Sequence, residues 1–122
     1  MAVRIFAAID VGSFELELGI YEISYKTGIR CVDHIRHVIA LGKDTYSLGK
    51  ISFGLVEEMC RVLGEFVQII KAYRVKDYRA YATSAIREAQ NKQIILEQIR
   101  VRTGIKVRII SNSEQRFISY KA

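Results

Sequence analysis

Asp10, Gly12 and Ser13 stand within one short run, Ala7-Ala8-Ile9-Asp10-Val11-Gly12-Ser13, and a second apolar run, Leu16-Glu17-Leu18-Gly19-Ile20-Tyr21, follows at once. A carboxylate thus closes a buried strand, and the chain folds straight back as another. Such a loop can bring backbone N–H groups and a hydroxyl close to a phosphate, because glycine carries no Cβ to block the approach. Gly12 and Ser13 are therefore candidate phosphate ligands. Asp10 is a candidate ligand for a metal ion held against that phosphate. The same residue types also make an ordinary hairpin turn.

Other residues that often carry chemistry give less. Cys31 and Cys60 are the only cysteines. Neither has metal-ligand spacing, and both read as small core or near-core residues, Cys31 on a strand and Cys60 on a helix. His34 and His37 are three apart on a strand, so they point to opposite faces and share no metal. The formal charge of +6 raises affinity for polyanions such as nucleotides or polyphosphate, although a basic solvated surface has the same composition. Lys and Arg are spread without a dense run or interleaved aromatics, which argues against sequence-specific nucleic-acid binding. No apolar run reaches the ~18 residues of a membrane span. Arg4 is followed by no signal-peptide pattern, so the cytoplasm is the expected compartment.

The elements that must position these residues follow from periodicity. Val3 to Ile9 is almost wholly apolar and reads as a central strand buried on both faces. Glu15 to Ser24 alternates, with Leu16, Leu18 and Ile20 on one face, as a half-buried antiparallel neighbour does. Tyr25-Lys26-Thr27-Gly28 is a hairpin turn, and Ile29 to Ala40 a third strand. Leu41 to Ile51, with glycines and polar residues, reads as a loop. Ser52 caps a helix from Phe53 to Tyr73, whose Val56, Met59, Cys60, Leu63, Phe66, Val67 and Ile70 form one apolar stripe for the core. Asp77 to Ala82 is a short strand and Ala85 to Ala89 a helical turn. A helix capped by Asn91 runs through Arg102, with Gly104 as its C′ residue. Lys106 to Ile110 is a further strand, and Ser111-Asn112-Ser113 cap a last helix in which the sequence stops, as a fragment or an excised domain would. The 122 residues suit one domain with one modest core. The order β-β-β-α-β-α-β-α predicts a mixed five-strand sheet: an antiparallel three-strand meander, then two strands added in parallel by helical crossovers. That is a ribonuclease H-like α/β fold.

Three stretches together resemble the exopolyphosphatase / guanosine pentaphosphate phosphohydrolase family. Ala8-Ile9-Asp10-Val11-Gly12-Ser13 is similar to its first phosphate loop. Tyr81-Ala82-Thr83-Ser84-Ala85-Ile86-Arg87-Glu88-Ala89 is similar to its Ala-Thr-Ser-Ala-hydrophobic-Arg-Glu-Ala segment. Thr103-Gly104-Ile105-Lys106-Val107-Arg108-Ile109-Ile110-Ser111, followed by Glu114, is similar to the stretch before its catalytic glutamate. Gly49-Lys50-Ile51-Ser52 fits as well. The resemblance implies the actin-like and sugar-kinase superfamily, in which two ribonuclease H-like domains face each other across a cleft. This sequence resembles the first domain alone, without the second Gly-rich phosphate loop.

The resemblance further implies a phosphoanhydride hydrolase acting on polyphosphate or a phosphorylated guanosine nucleotide. Mg²⁺ would be its cofactor, with Asp10 as the possible metal ligand. Gly12, Ser13, Thr83 and Arg87 would bind phosphate, Arg87 through its planar fork. Glu114 or Gln115 would occupy the place of the catalytic base. The departures point elsewhere: the family loop continues Gly-Ser-Asn-Ser toward an Arg, whereas here Gly12-Ser13 is followed by Phe14-Glu15-Leu16-Glu17, with a Glu15 carboxylate that would repel a polyphosphate, and ungapped alignment puts Gln115 at the base position. Gln orients a water but takes no proton. Two functions are therefore carried forward. One is a hydrolase of this type, represented by its first domain and inactive alone. The other is a catalytically silent phosphate- or nucleotide-binding or regulatory domain. The missing second domain is the implied partner, with a homodimer as a further expectation.

Overall fold

The computed structural model describes residues 3–111 together with Ser113 and Glu114. The sheet is built first from β1 (Arg4–Val11), β2 (Glu15–Ser24) and β3 (Gly28–Val38), an antiparallel meander. Strands β4 (Asp77–Ala82) and β5 (Arg108–Ile109) join in parallel, giving the order β3-β2-β1-β4-β5. This is the mixed five-strand architecture expected above. Strand β1 runs two residues further than expected, through Asp10 to Val11.

Alternation decides which face carries the core. Ala7, Ile9 and Val11 of β1 and Leu16, Leu18 and Ile20 of β2 are fully buried beneath the helices. Helix α2 (Phe53–Ala72) lays Val56, Met59, Cys60, Leu63 and Phe66 on them, while Val67 and Ile70 pack at the margin. Helix α4 (Lys92–Thr103) adds Ile95 and Ile99 and ends at Gly104, whose φ of 81° is the left-handed conformation a helix C-cap favours.

Three local expectations fail for physical reasons. Leu41 to Ile51 is not all loop: α1 (Leu41–Leu48) forms there, ending at Gly49 with φ 77°. Leu41 and Thr45 bury one side of α1. Cys31 is exposed, not near-core, because β3 is the sheet edge and its first five residues all face solvent. Ser52 and Asn91 take the N-cap positions without a side-chain cap bond. Instead the Ser52 N–H donates to Asp44 Oδ2 at 2.8 Å. The Asn91 amide clasps Ile51, accepting from its N–H at 3.2 Å and donating to its carbonyl at 2.9 Å.

Candidate phosphate site

Strands β1, β4 and β5 are parallel, so their carboxyl ends share one sheet edge, where β2 also begins and β3 ends. From that edge hang the Gly12–Phe14 loop, Thr83 with the short helix α3 (Ser84–Arg87), and the stretch after β5. Crevices at this end of an open α/β sheet are where ligands gather.

The loop is tightly tied. The Gly12 N–H donates to the Glu15 carbonyl at 3.0 Å, and a Cβ at Gly12 would stand 3.2 Å from that same oxygen. Gly12 therefore closes the hairpin, and its N–H is committed to the protein. The carbonyls of Ser13 and Phe14 accept from the N–H groups of Gly42 and Ile39, both at 2.9 Å. The N–H groups of Ser13 and Phe14 donate to no other described group. They are the two loop N–H groups left without a described acceptor. On the neighbouring strand, the Thr83 N–H donates to the Val11 carbonyl at 3.3 Å, which seats buried Thr83 beside the loop.

Hydroxyls meet over this loop. Ser13 Oγ lies 3.4 Å from Ser84 Oγ, and Ser84 Oγ lies 2.5 Å from the Tyr46 hydroxyl. Tyr46 reaches in from α1. That helix is anchored by the Gly42 bond to the loop and by Thr45 Oγ1, which donates to the Ala85 carbonyl at 2.7 Å. Neither Tyr46 nor Ser84 stood out as a site residue in the sequence. Ser84 lay within a quoted run, whereas Tyr46 sat in a segment read as loop, with no signal of its own.

Arg87 is on the same edge and is engaged with protein. Its Nη1 donates to the Ile110 carbonyl at 2.6 Å and its Nε to Glu88 Oε1 at 3.1 Å, which ties α3 to the end of β5. Glu114 is engaged too. Its N–H donates to Ser111 Oγ at 3.1 Å, its Oε1 accepts from the Ser111 N–H at 3.3 Å, and its Oε2 accepts from Arg108 Nη2 at 2.6 Å. The first two bonds are a capping box, with serine and glutamate satisfying each other's backbone donors. Gln115 lies outside the described residues.

Charge around the loop is paired in part. Glu15, which in the sequence looks repulsive to phosphate, is gripped by Arg36, with Nη2 2.8 Å from Oε2 and 3.1 Å from Oε1. A hydrogen bond from Glu17 and this guanidinium hold Glu15 below the ordinary carboxylate range, while sharing that bond lifts Glu17. His34 adds a nitrogen 3.6 Å from Glu17, and His37 points the other way, 2.8 Å from Glu58. The two histidines occupy opposite faces, as expected. Asp10 opens to solvent, yet the protein behind it and then the Glu15 charge raise its pKa. Among the described residues no three His, Cys, Asp or Glu side chains gather as a metal cage. A single carboxylate such as that of Asp10 is compatible with Mg²⁺, which commonly takes one or two protein carboxylates and completes its shell with phosphate oxygens and water.

A model of the Ppx/GppA phosphatase family matches residues 20–122. The chain belongs to this family. Exopolyphosphatase 1 of Mycobacterium leprae is 26% identical over 115 residues, covering 93% of this chain and 34% of the relative. Exopolyphosphatase 1 of Mycobacterium tuberculosis is 24% identical over 114 residues, covering 93% of this chain and 33% of the relative. The solved Ppx/GppA family member of Aquifex aeolicus superposes with a TM-score of 0.88 at 27% identity, covering 93% of this chain and 37% of that one. This Ppx/GppA chain thus spans about a third of the length of the curated relatives it matches. Its fold is that of the family's actin-like domain.

Proposed function

We propose that this chain is the first, phosphate-holding domain of an exopolyphosphatase-type hydrolase that cleaves phosphoanhydrides in the cytoplasm. The observation that carries the reading is the meeting of Ser13, Ser84 and two loop amides without a described acceptor at one sheet edge beside Asp10, in a Ppx/GppA chain. Transfer of a phosphoryl group needs its oxygens neutralised and an attacking water in line. Here the Ser13 and Phe14 N–H groups and the Ser13 and Ser84 hydroxyls would donate to those oxygens. Arg87 would join them by exchanging Glu88 for the anion while keeping its hold on Ile110. Asp10 would hold Mg²⁺, which supplies further charge neutralisation when bound. Either Glu114 would act as general base, after releasing Arg108, or Gln115 would orient the water. A second domain would bracket the phosphate from the other side. Polyphosphate and guanosine pentaphosphate both carry the required anhydride, and alone this chain hydrolyses neither.

One observation favours a silent binding domain instead. Glu114 already spends both carboxylate oxygens on Arg108 and the Ser111 cap. Titrating Mg²⁺-tripolyphosphate into the chain by calorimetry tests what the two readings share. Saturable binding that weakens as salt rises is expected. Absence of binding at millimolar ligand would remove both.

A further inference from the structure

Ser84 has a hydroxyl neighbour on each side. The 3.4 Å gap to Ser13 is long for an O–H···O bond, which is commonly about 2.7–2.8 Å, so these two hydroxyls hold each other weakly. The 2.5 Å contact to Tyr46 is short and comes from a different element. Either oxygen of that pair could donate. The direction matters, because a phosphate oxygen only accepts. If Ser84 gives its proton to Tyr46, none remains for an anion. If Tyr46 donates, the Ser84 proton is free to turn toward the loop mouth beside that of Ser13. A phenol is a stronger hydrogen-bond donor than an aliphatic alcohol, which favours the second arrangement. An anion favours it further, because donors in series polarise one another.

We propose that Tyr46 is a positioning residue of the phosphate site: its hydroxyl donates to Ser84, so that the Ser84 and Ser13 protons converge on one anion oxygen. The inference rests on the phosphate-site reading and adds a residue of α1 to it. The backbone around Tyr46 is built to hold that pose. A Cβ at Gly42 would stand 3.1 Å from the Tyr46 ring and 3.0 Å from Ser13 Cβ, so the ring, α1 and the loop approach as closely as glycine permits. Tyr46 is otherwise 62% exposed, so its ring contributes little to the core, and the hydroxyl contact is its principal polar tie to the protein.

The test is a titration of the 122-residue chain with inorganic phosphate, followed by the amide NMR signals of residues 12–14 and 83–85. Tyr46→Phe keeps the ring and removes only the hydroxyl. It should weaken phosphate binding about three- to tenfold, the range of one lost hydrogen bond. Ser84→Ala should weaken binding by at least as much, and the double variant no further than Ser84→Ala alone, because Tyr46 acts through Ser84. Ser84→Thr, which keeps a hydroxyl, should retain most of the affinity and its dependence on Tyr46. The inference is overturned if Tyr46→Phe binds as the parent does, or if the two losses multiply independently. If the unaltered chain binds phosphate elsewhere or not at all, the phosphate-site reading falls along with it.

Discussion

The carboxylate of Asp10 has protein behind it and Glu15 beside it, and both raise its pKa. The folded chain therefore holds a proton there more tightly than the unfolded chain does. The stability this group contributes is full below the ordinary value of 3.8 and is lost as pH rises through the higher folded value. At neutral pH the charged Asp10 opposes folding. Asp10→Asn should accordingly stabilise the chain in urea unfolding near about pH 7, and the gain should shrink and vanish as pH falls toward the ordinary carboxylate value. The same variant should weaken Mg²⁺-dependent tripolyphosphate binding, since it removes the one carboxylate offered to the cation. For the base, the test belongs to a longer hydrolase that carries this chain. If Gln115 holds the base position, Gln115→Glu should raise phosphate release, by as much as ~10²–10⁴-fold. If Glu114 is the base, Glu114→Gln should abolish release and Gln115→Glu should change little. Asp10, Gly12 and Ser13 stood out in the sequence by type and spacing, yet the structure spends the Gly12 N–H on closing the hairpin, the ordinary-turn use that the same residue types also allowed. Arg36 and Tyr46 did not stand out, since each meets the loop only through pairing across strands or from another helix.

Leu63 shows what periodicity reads well at the scale of an element. It lies on the stripe of α2 and is fully buried. Leu63→Ala should cost about 2–5 kcal/mol in chemical denaturation. Helix α1 shows what periodicity reads poorly. Eight residues with a glycine at 42 and another following at 49 carry too few apolar positions to look helical, although Gly49 is the C-cap that ends the helix. Its formation depends on tertiary bonds to the loop and to α3, which no local pattern announces. Asn91 is a similar case: the sequence suggested a helix cap, and the side chain holds the Ile51 backbone instead. Asn91→Ala leaves a part-buried N–H and carbonyl without that partner and should cost about 1–3 kcal/mol in the same measurement. Asn91→Asp should recover only the acceptor half.

Over the whole molecule, the meander and the parallel crossovers were legible because a tight turn joins antiparallel strands and an intervening helix returns the chain for a parallel one. The sheet edge was less so. β3 was read as one more strand, yet its marginal place exposes Cys31 and Ile29 and leaves Arg36 free to fold over Glu15. That arrangement pairs Glu15, the acidic residue next to the loop, with a cation from the edge strand. The claim that unites these scales is that an anion binds at the carboxyl ends of β1 and β4, over the Gly12–Phe14 loop. Amide NMR of the chain titrated with Mg²⁺-tripolyphosphate tests it most directly. Saturable shifts should appear at residues 10–15 and 83–88, while residues 25–28 and 75–77 at the opposite ends of the strands stay unmoved. Shifts confined to the opposite ends, with residues 10–15 and 83–88 silent, would contradict it.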